Sequence, residues 1–490
     1  MIGHRVGTLA VFALLAIACS DQQTSTIAEP NLTVAAGTST EAVELDLQRG
    51  GATNRQSLWF ARTARSGGPL TVFDQTLDAF GLPAPILSGD DLALHDEGDE
   101  AFDQEFVAAP GTANSGLGPV FDNTSCSGCH FGDGRGRPPV GAERFESMLF
   151  RASVPGVGGH GGPAPVPGFG TQLDLRAIPG LQPGVQASIT YRDSTASFGD
   201  GATYSLRVPS YQFTNPYTPL PSTLLFSPRV APFIIGMGLL ENVPDALLLA
   251  RADPHDRDQN GISGRVNIVW DGVRNQPAIG RFGWKASVAS LLQQTAGAYN
   301  GDMGITSSLF PAETCEGFRP GCERHDAEVS DDVIEATTFY QASLGVPARR
   351  SLDDATVRRG ELVFYAAGCA GCHTPTLYSE PYSGPGRARL RVAAVIHPYT
   401  DLLLHDMGPA LADNRPDFRA RGDEWRTPPL WGIGLVGVVN GHTNFLHDGR
   451  ARSLLEAVLW HGGEAERSRE AVRRLPAPWR EALVAFLQSL

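Results

Sequence analysis

At 490 residues the chain is longer than one hydrophobic core usually organises, so we expect two or more domains. Its 56 glycines and 36 prolines indicate long loops and moderate helix content. The formal charge of -14 argues against a nucleic-acid partner, because phosphate binding requires clustered Lys and Arg. A negatively charged chain would instead suit a basic redox protein as its partner.

The first 18 residues have the pattern of a bacterial signal peptide. His4 and Arg5 precede an apolar run, residues 6–17, that is too short to span a membrane permanently. The run leads into Leu-Ala-Ile-Ala-Cys at 15–19, which is similar to a lipobox, although ordinary cleavage after a small residue is the alternative. Residues 19–55 are polar and predict a flexible tether. We therefore expect a periplasmic protein that contacts the inner or outer membrane only through a lipid on Cys19.

Two cysteine pairs have the spacing used for covalent haem attachment. Segments 126–130 and 369–373 read Cys-Ser-Gly-Cys-His and Cys-Ala-Gly-Cys-His. Thiols three positions apart can reach both vinyl groups of a haem, and the next residue then points at the iron. A zinc site or a thioredoxin-like pair does not explain a histidine after both pairs. The sequence predicts two c-type haems, attached through Cys126, Cys129, Cys369 and Cys372, with His130 and His373 as proximal iron ligands.

The remaining pair, Cys315 and Cys322, lacks a following histidine and lies in a loop that contains Gly and Pro. A small structural disulfide is the interpretation that suits an exported protein. A regulatory thiol pair is the alternative.

Residues 346–490 are typical of a small cytochrome c domain. Ser351 and Asp354 predict the start of a helix that ends before the second haem segment, and Gly360 leaves room for a crossing helix near the C-terminus. Residues 56–345 form the predicted N-terminal haem domain, in which alternating apolar residues at 185–191 and 204–208 predict a hairpin. We expect a mainly α fold of two cytochrome c-like haem domains with long loop and β-hairpin insertions.

A faint internal repeat relates the two halves. Arg229-Val-Ala-Pro232 precedes Gly236, and Arg426-Thr-Pro-Pro429 precedes Gly432, each after a haem segment. This pattern indicates duplication of a haem-binding unit.

Five further motifs lie between residues 95 and 490. They are Gly118-Pro-Val-Phe121, Gly280-Arg-Phe-Gly-Trp-Lys-Ala286, Asp401-Leu-Leu-Leu-His-Asp-Met-Gly408, Phe445-Leu-His-Asp-Gly-Arg450 and Trp460-His-Gly-Gly463. With the two haem segments, they make this region resemble the bacterial di-haem oxidoreductases, also called thiol oxidoreductases, which are related to the di-haem cytochrome c peroxidases.

The resemblance implies a second iron ligand in the C-terminal domain. In the related peroxidases, a similar His-Asp-Gly stretch precedes the distal ligand of the electron-transferring haem, and the same interval counted from His447 leads to His461. His461 is therefore predicted opposite His373, with Met407 and His405 as rivals for the same position.

The resemblance also implies an open or weakly closed N-terminal haem, because peroxide must bind iron directly. Met237, His160 and Met303 are the residues that could close it, although packing or loop roles suit each of them. Glu241 is a candidate acid/base for the peroxide proton.

Trp284 and Lys285 are two further catalytic candidates. Trp284 is predicted either to relay electrons between the haems or to pack in the core. Lys285, the single lysine of the chain, is predicted to hold a haem propionate or a substrate carboxylate, with a solvated lysine as the alternative.

A calcium loop is predicted from Asp256, Asp258, Asn260 and the glycine that follows them. Its twelfth position is Asn267 instead of glutamate, so a plain Asp/Asn turn is the alternative. Di-haem peroxidases hold a calcium between their domains, which favours the metal.

Together these patterns predict a periplasmic di-haem oxidoreductase of the peroxidase type. One haem would transfer electrons and the other would react with peroxide or a related oxidant. The partner would be a redox protein that donates or accepts electrons, and the haems would either reduce peroxide to water or oxidise a residue of a secreted protein substrate. A pure electron carrier with both irons six-coordinate is the alternative, and a thiol oxidase is a third hypothesis.

Overall fold

The computed structural model describes residues 64–112, 114–319, 322, 326–382 and 390–490. The predicted signal peptide, the predicted tether and the predicted acylation site Cys19 lie outside these residues. Within the described part of the chain, no helix combines the length and apolar character needed to cross a membrane.

Helices are distributed along the whole described chain, and most are short. The eleven α-helices in the described residues are α1 (Asp90–Asp103), α2 (Cys126–Cys129), α3 (Met237–Glu241), α4 (Asp245–Arg251), α5 (Leu291–Met303), α6 (Asp331–Ser343), α7 (Ala355–Ala366), α8 (Val436–Val439), α9 (Leu454–Trp460), α10 (Glu466–Arg474) and α11 (Ala477–Ser489).

Strands lie between the helices and form seven sheets of two or three strands within the described residues. They are β1 (Thr71–Val72), β2 (Val120–Phe121), β3 (Met148–Val157), β4 (Pro163–Ala164), β5 (Arg176–Ala177), β6 (Gln186–Ser197), β7 (Thr203–Thr214), β8 (Leu225–Val230), β9 (Ile268–Asp271), β10 (Gln276–Ile279), β11 (Val346–Pro347), β12 (Leu377–Ser379), β13 (Ala394–Ile396), β14 (Leu404–Asp406) and β15 (Glu424–Arg426).

The prediction of a mainly α fold is wrong. The chain has 29% helix and 20% strand, so it is a mixed α/β protein. Nine of the fifteen strands in the described residues have only two or three residues, which is too short for the alternation of apolar and polar side chains to be recognised. Several of these short paired strands lie in glycine- and proline-rich segments that the sequence predicted to be loops.

The predicted hairpin is confirmed. Strands β6 and β7 are antiparallel and pair from Gln186 with Thr214 to Ser197 with Thr203. The turn between them contains Gly201, whose φ of 87° is a left-handed conformation that glycine adopts without strain.

The two helices predicted around the second haem segment also form. Asp354 caps α7, because its carboxylate accepts hydrogen bonds from the backbone N–H groups of Thr356 and Val357. Helix α11 crosses α7 at Gly360, where a Cβ atom would overlap the carbonyl group of Ala482. The missing side chain of Gly360 therefore permits the close approach of the two helices.

The largest hydrophobic core contains residues from both predicted domains. Leu70, Phe80 and Ile235 belong to the same buried cluster as Trp431 and Phe486. Near the N-terminal edge of the described chain, β1 pairs in parallel with β11. The site described below is enclosed by both halves of the chain.

Candidate functional site

A cavity of about 900 Å³ extends between the two Cys-x-x-Cys-His segments. Its walls include both cysteines of each segment and the histidine that follows: Cys126, Cys129, His130, Cys369, Cys372 and His373. The folded chain thus brings together two segments that are far apart in the sequence.

The first segment is held by local hydrogen bonds. Ser125 caps α2 by accepting a hydrogen bond from the Gly128 N–H group. The Nδ1 atom of His130 lies 2.7 Å from the carbonyl oxygen of Pro232, the proline of the first repeat. Burial lowers the pKa of His130, so the ring is neutral and Nδ1 is its donor. The Nε2 atom is then the nitrogen that can bind a metal.

The second segment places the imidazole of His373 next to that of His461, with the two ring planes tilted by 48°. The ring centroids of His373 and His461 are 6.5 Å apart. Metal–imidazole bonds of about 2 Å on each side would place two ring centroids roughly 6 Å apart, so one metal ion fits between these rings. His373 Nδ1 lies 3.0 Å from the Tyr399 carbonyl oxygen, and His461 Nδ1 lies 2.8 Å from that of Ala457. Both rings therefore have Nε2 available for iron.

The two rivals of His461 differ in their surroundings. His405 has both ring nitrogens engaged, Nε2 with Asp401 at 2.9 Å and Nδ1 with Glu464 at 2.8 Å. Burial alone would lower the pKa of His405, but the Asp401 carboxylate raises it well above its ordinary value. A protonated imidazole between two carboxylates has no lone pair for iron. Met407 lines the cavity and remains a rival.

The three candidates for a sixth ligand at the predicted N-terminal haem differ in their position relative to the cavity. Met237 and Met303 line the cavity, and Met303 is buried. His160 is exposed and stacks on Trp270 with ring centroids 4.1 Å apart, outside the cavity lining. The ring that packs near His130 is that of Phe102, at 6.1 Å.

The three predicted catalytic residues have different positions. Trp284 lines the cavity, and its indole N–H group donates to the Val230 carbonyl oxygen at 2.9 Å. Glu241 lies outside the cavity lining and accepts a hydrogen bond from the N–H group of Leu291, at the first turn of α5. Only Trp284 therefore lies where it could contact a bound haem.

Lys285 is fully buried and does not line the cavity. Its Nζ atom donates to Asp413 at 2.7 Å and to the carbonyl oxygens of Arg415 and Arg421, both at 2.9 Å. An ammonium group has three N–H donors, and all three are used. Trp425 lies beneath the charge, with its ring centroid 4.5 Å from Nζ.

Sequence reasoning missed four arginines in the cavity wall, each less than one-tenth exposed: Arg135, Arg229, Arg415 and Arg426. Arg229 and Arg426 occupy corresponding positions in the internal repeat, which was a signal that we did not use. His447 also lines the cavity and stacks on Trp425 at 3.7 Å. The sequence motif around His447 predicted the position of His461, but it did not predict that His447 itself lines the cavity.

The calcium loop folds as a series of turns. Asp256 accepts a hydrogen bond from the Gly261 N–H group, and Asn260 accepts one from Ile262. Asn267, at the twelfth position, is buried and bonded to backbone groups. No group of three or more His, Cys, Asp or Glu side chains suited to a metal ion occurs in the described residues. The loop lacks its twelfth ligand, and calcium binding stays a prediction.

A disulfide joins Cys315 to Cys322, whose Cα atoms are 5.6 Å apart. It closes a loop that follows Glu313 and Thr314, both of which line the cavity. The disulfide therefore restrains one part of the cavity wall.

The paired Cys-x-x-Cys-His segments and the facing histidines in one cavity are the features of a di-haem protein. A family model described as "Di-haem oxidoreductase, putative peroxidase" matches residues 60–490. The chain belongs to this family.

Two other comparisons add little. No curated protein matches the chain. A solved structure of hydrazine synthase from Kuenenia stuttgartiensis, pressurised with xenon, is 19% identical and has a TM-score of 0.22. The match covers 36% of this chain and 61% of the hydrazine synthase chain. A likeness this weak carries no argument about fold or function.

Proposed function

We propose that this protein is an exported c-type di-haem oxidoreductase with a division of labour between its two sites. Cys126 and Cys129 would attach one haem, and Cys369 and Cys372 the other. The C-terminal site would hold and transfer electrons, and the N-terminal site would react with peroxide or a related oxidant. Haem iron supplies one-electron and oxidant chemistry at such sites when it is bound.

The facing pair His373 and His461 is the observation that carries this proposal. Two imidazoles with their Nδ1 atoms tied to backbone carbonyls would hold a metal ion through their Nε2 atoms, which would leave no position on it for a small oxidant. Such a site suits electron transfer.

His130 has a different environment, which supports the reactive role of the N-terminal site. It too has its Nδ1 atom tied to a carbonyl oxygen, but no second histidine ring packs against it among the described residues. A position opposite His130 is then open to a small oxidant, unless a methionine occupies it.

Replacement of His461 by alanine tests the assignment of the two sites. We expect electron paramagnetic resonance of the oxidised wild-type protein to show one low-spin and one high-spin haem. His461→Ala should convert the low-spin signal to high-spin, because it removes one strong nitrogen donor. His160→Ala, which removes an exposed histidine outside the cavity, is the matched control and should leave both signals unchanged. Persistence of the low-spin signal in His461→Ala, and its loss in Met407→Ala, would assign the ligand to Met407.

A pure electron carrier is the alternative that a specific observation favours. Met237 and Met303 both line the cavity, and a thioether could close the N-terminal site. Two low-spin haems and no reaction with hydrogen peroxide would support the carrier. A high-spin component that disappears when peroxide is added would support the oxidoreductase.

We also propose a periplasmic location with a lipid on Cys19, and a redox protein as the electron partner. The apolar segment at 6–17 and the Leu-Ala-Ile-Ala-Cys pattern support this location. Mass spectrometry of the mature N-terminus tests it: acylated Cys19 is the expected result, and an unmodified N-terminus at another residue would contradict the anchor.

A further inference from the structure

Two of the four buried arginines that line the cavity have no carboxylate partner. Arg229 and Arg415 share the carboxylate of Asp417, at 2.8 and 3.1 Å. Arg135 and Arg426, each 7% exposed, form no ion pair with any described residue. The cavity wall therefore contains two buried guanidinium groups whose charge is not neutralised.

The hydrogen bonds of these two arginines leave donors unused. Arg135 donates from Nε to the Asn444 carbonyl oxygen at 2.9 Å and from Nη2 to that of Leu446. Arg426 donates from Nε to the Gly283 carbonyl oxygen at 3.1 Å, and its two Nη atoms form no hydrogen bond with a described residue. Arg426 is one of the residues that line the cavity.

The acidic groups that act on these two arginines are already engaged in hydrogen bonds. Asp448, which acts on Arg135 electrostatically, is bonded to Arg450 and Tyr211. Asp401, which acts on Arg426, is bonded to His405. A local carboxylate therefore does not neutralise either arginine.

A buried cation without a partner is costly for the fold. Burial lowers the pKa of both Arg135 and Arg426 to about 10, which still leaves each charged at neutral pH. A buried charge is unfavourable when no opposite charge replaces the water that it loses on burial. An anion that enters the cavity would relieve this cost at both arginines.

Both arginines flank Trp284. The Arg135 guanidinium lies 5.1 Å from the centre of the indole ring, and the backbone N–H group of Arg426 donates to the Trp284 carbonyl oxygen at 2.9 Å. The Nε atom of Arg426 donates to the carbonyl oxygen of Gly283, the residue before Trp284, so both guanidinium groups lie close to Trp284 in a cavity that connects both Cys-x-x-Cys-His segments.

We propose that Arg135 and Arg426 bind propionate carboxylates of the two haems, so that the propionate edges of both groups meet beside Trp284. The planar guanidinium fork matches a carboxylate with two parallel hydrogen bonds, which an ammonium group does not. This inference rests on the proposed function, because it requires two bound haems. It also transfers to arginine the propionate-binding role that the sequence predicted for Lys285.

The test measures the reduction potential of each haem in the intact protein. Arg426→Gln and Arg135→Gln should each lower the potential of at least one haem in a spectroelectrochemical titration, because a nearby positive charge favours the reduced state. Arg192→Gln, on an exposed part of β6, removes the same charge outside the cavity and is the matched control.

Lysine variants keep the proposal testable if glutamine variants do not fold. Arg426→Lys and Arg135→Lys preserve the charge but not the bidentate fork. We expect each to bind two haems, to have a potential closer to that of the wild type, and to shift the propionate bending band in resonance Raman spectra.

Three outcomes would overturn the inference. One is a potential change in the glutamine variants that is no larger than in Arg192→Gln. Another is an unchanged propionate band in the lysine variants. The third is an altered KM for an anionic substrate with both potentials unchanged, which would assign the arginines to a free carboxylate. A wild-type protein without two haems per chain by pyridine haemochrome assay would instead contradict the proposed function itself.

Discussion

Burial gives Lys285 a role that differs from the ligand-binding role predicted from its residue type. As the single lysine of an arginine-rich chain, it was predicted to bind a carboxylate of the cofactor or substrate. It does bind a carboxylate, but that of Asp413, at a place closed to solvent. The sequence contained no signal that Asp413 would face it, because the two residues are 128 positions apart.

A structural role of Lys285 leads to a prediction about stability. Lys285→Ala should reduce the free energy of unfolding by about 3–5 kcal/mol, because it leaves Asp413 buried and uncompensated. Denaturant unfolding measures this change. The double variant Lys285→Ala/Asp413→Ala should recover part of the loss, which shows the coupling between the two charges. Normal stability with a loss of peroxide turnover would instead support a catalytic lysine.

The histidines were more predictable than the charged residues. His130 and His373 were predicted from a short motif, because attachment chemistry restricts their spacing to the cysteines, whereas His461 was predicted from the family resemblance by its interval from His447. Arg135 and Arg426 have no such local restriction. They stand out because no free carboxylate pairs with them, and this property depends on the folded structure rather than on the local sequence.

At the level of elements, helices were predicted better than strands. Helix α7 has an aspartate cap, and α11 starts behind Pro476, so both carry boundary signals of their own. Strands β12 to β15 have three residues each and pair across turns and loops. Their pairing depends on tertiary contacts, and a three-residue segment has no periodicity to reveal it.

The crossing of α7 and α11 supports a prediction at Gly360. Gly360→Ala should destabilise the protein by about 1–3 kcal/mol or more, because the new methyl group meets the backbone of Ala482, which cannot rotate away. Gly297→Ala in α5 is the matched control, since its Cβ atom would make ordinary contact with Phe310 at 3.7 Å. Thermal unfolding should show a loss for the first variant and a neutral or small stabilising effect for the second. Equal melting temperatures for the two variants would contradict this account of the crossing.

At the level of the whole molecule, the two halves share one core. The principal buried cluster joins Leu70 and Ile235 to Trp431 and Leu490, and β1 pairs with β11 across the predicted boundary at residue 346. Length alone predicted two domains, but it could not predict how much apolar surface the halves would bury against each other.

This shared core leads us to expect one cooperative unfolding transition. The Soret absorbance, which would report both haem sites, and tryptophan fluorescence should change at the same denaturant concentration. The physical reason is that neither half can unfold without exposing apolar side chains of the other. Two separated transitions would show that the halves are independent units.

The backbone carbonyls that lie against His130, His373 and His461 determine which nitrogen each ring offers. The Nδ1 atom of each ring is within hydrogen-bond distance of a carbonyl oxygen, so Nδ1 carries the proton and Nε2 the lone pair. Turning any of these rings over would break that hydrogen bond and present a protonated nitrogen instead, so the main chain selects the tautomer that a metal would meet.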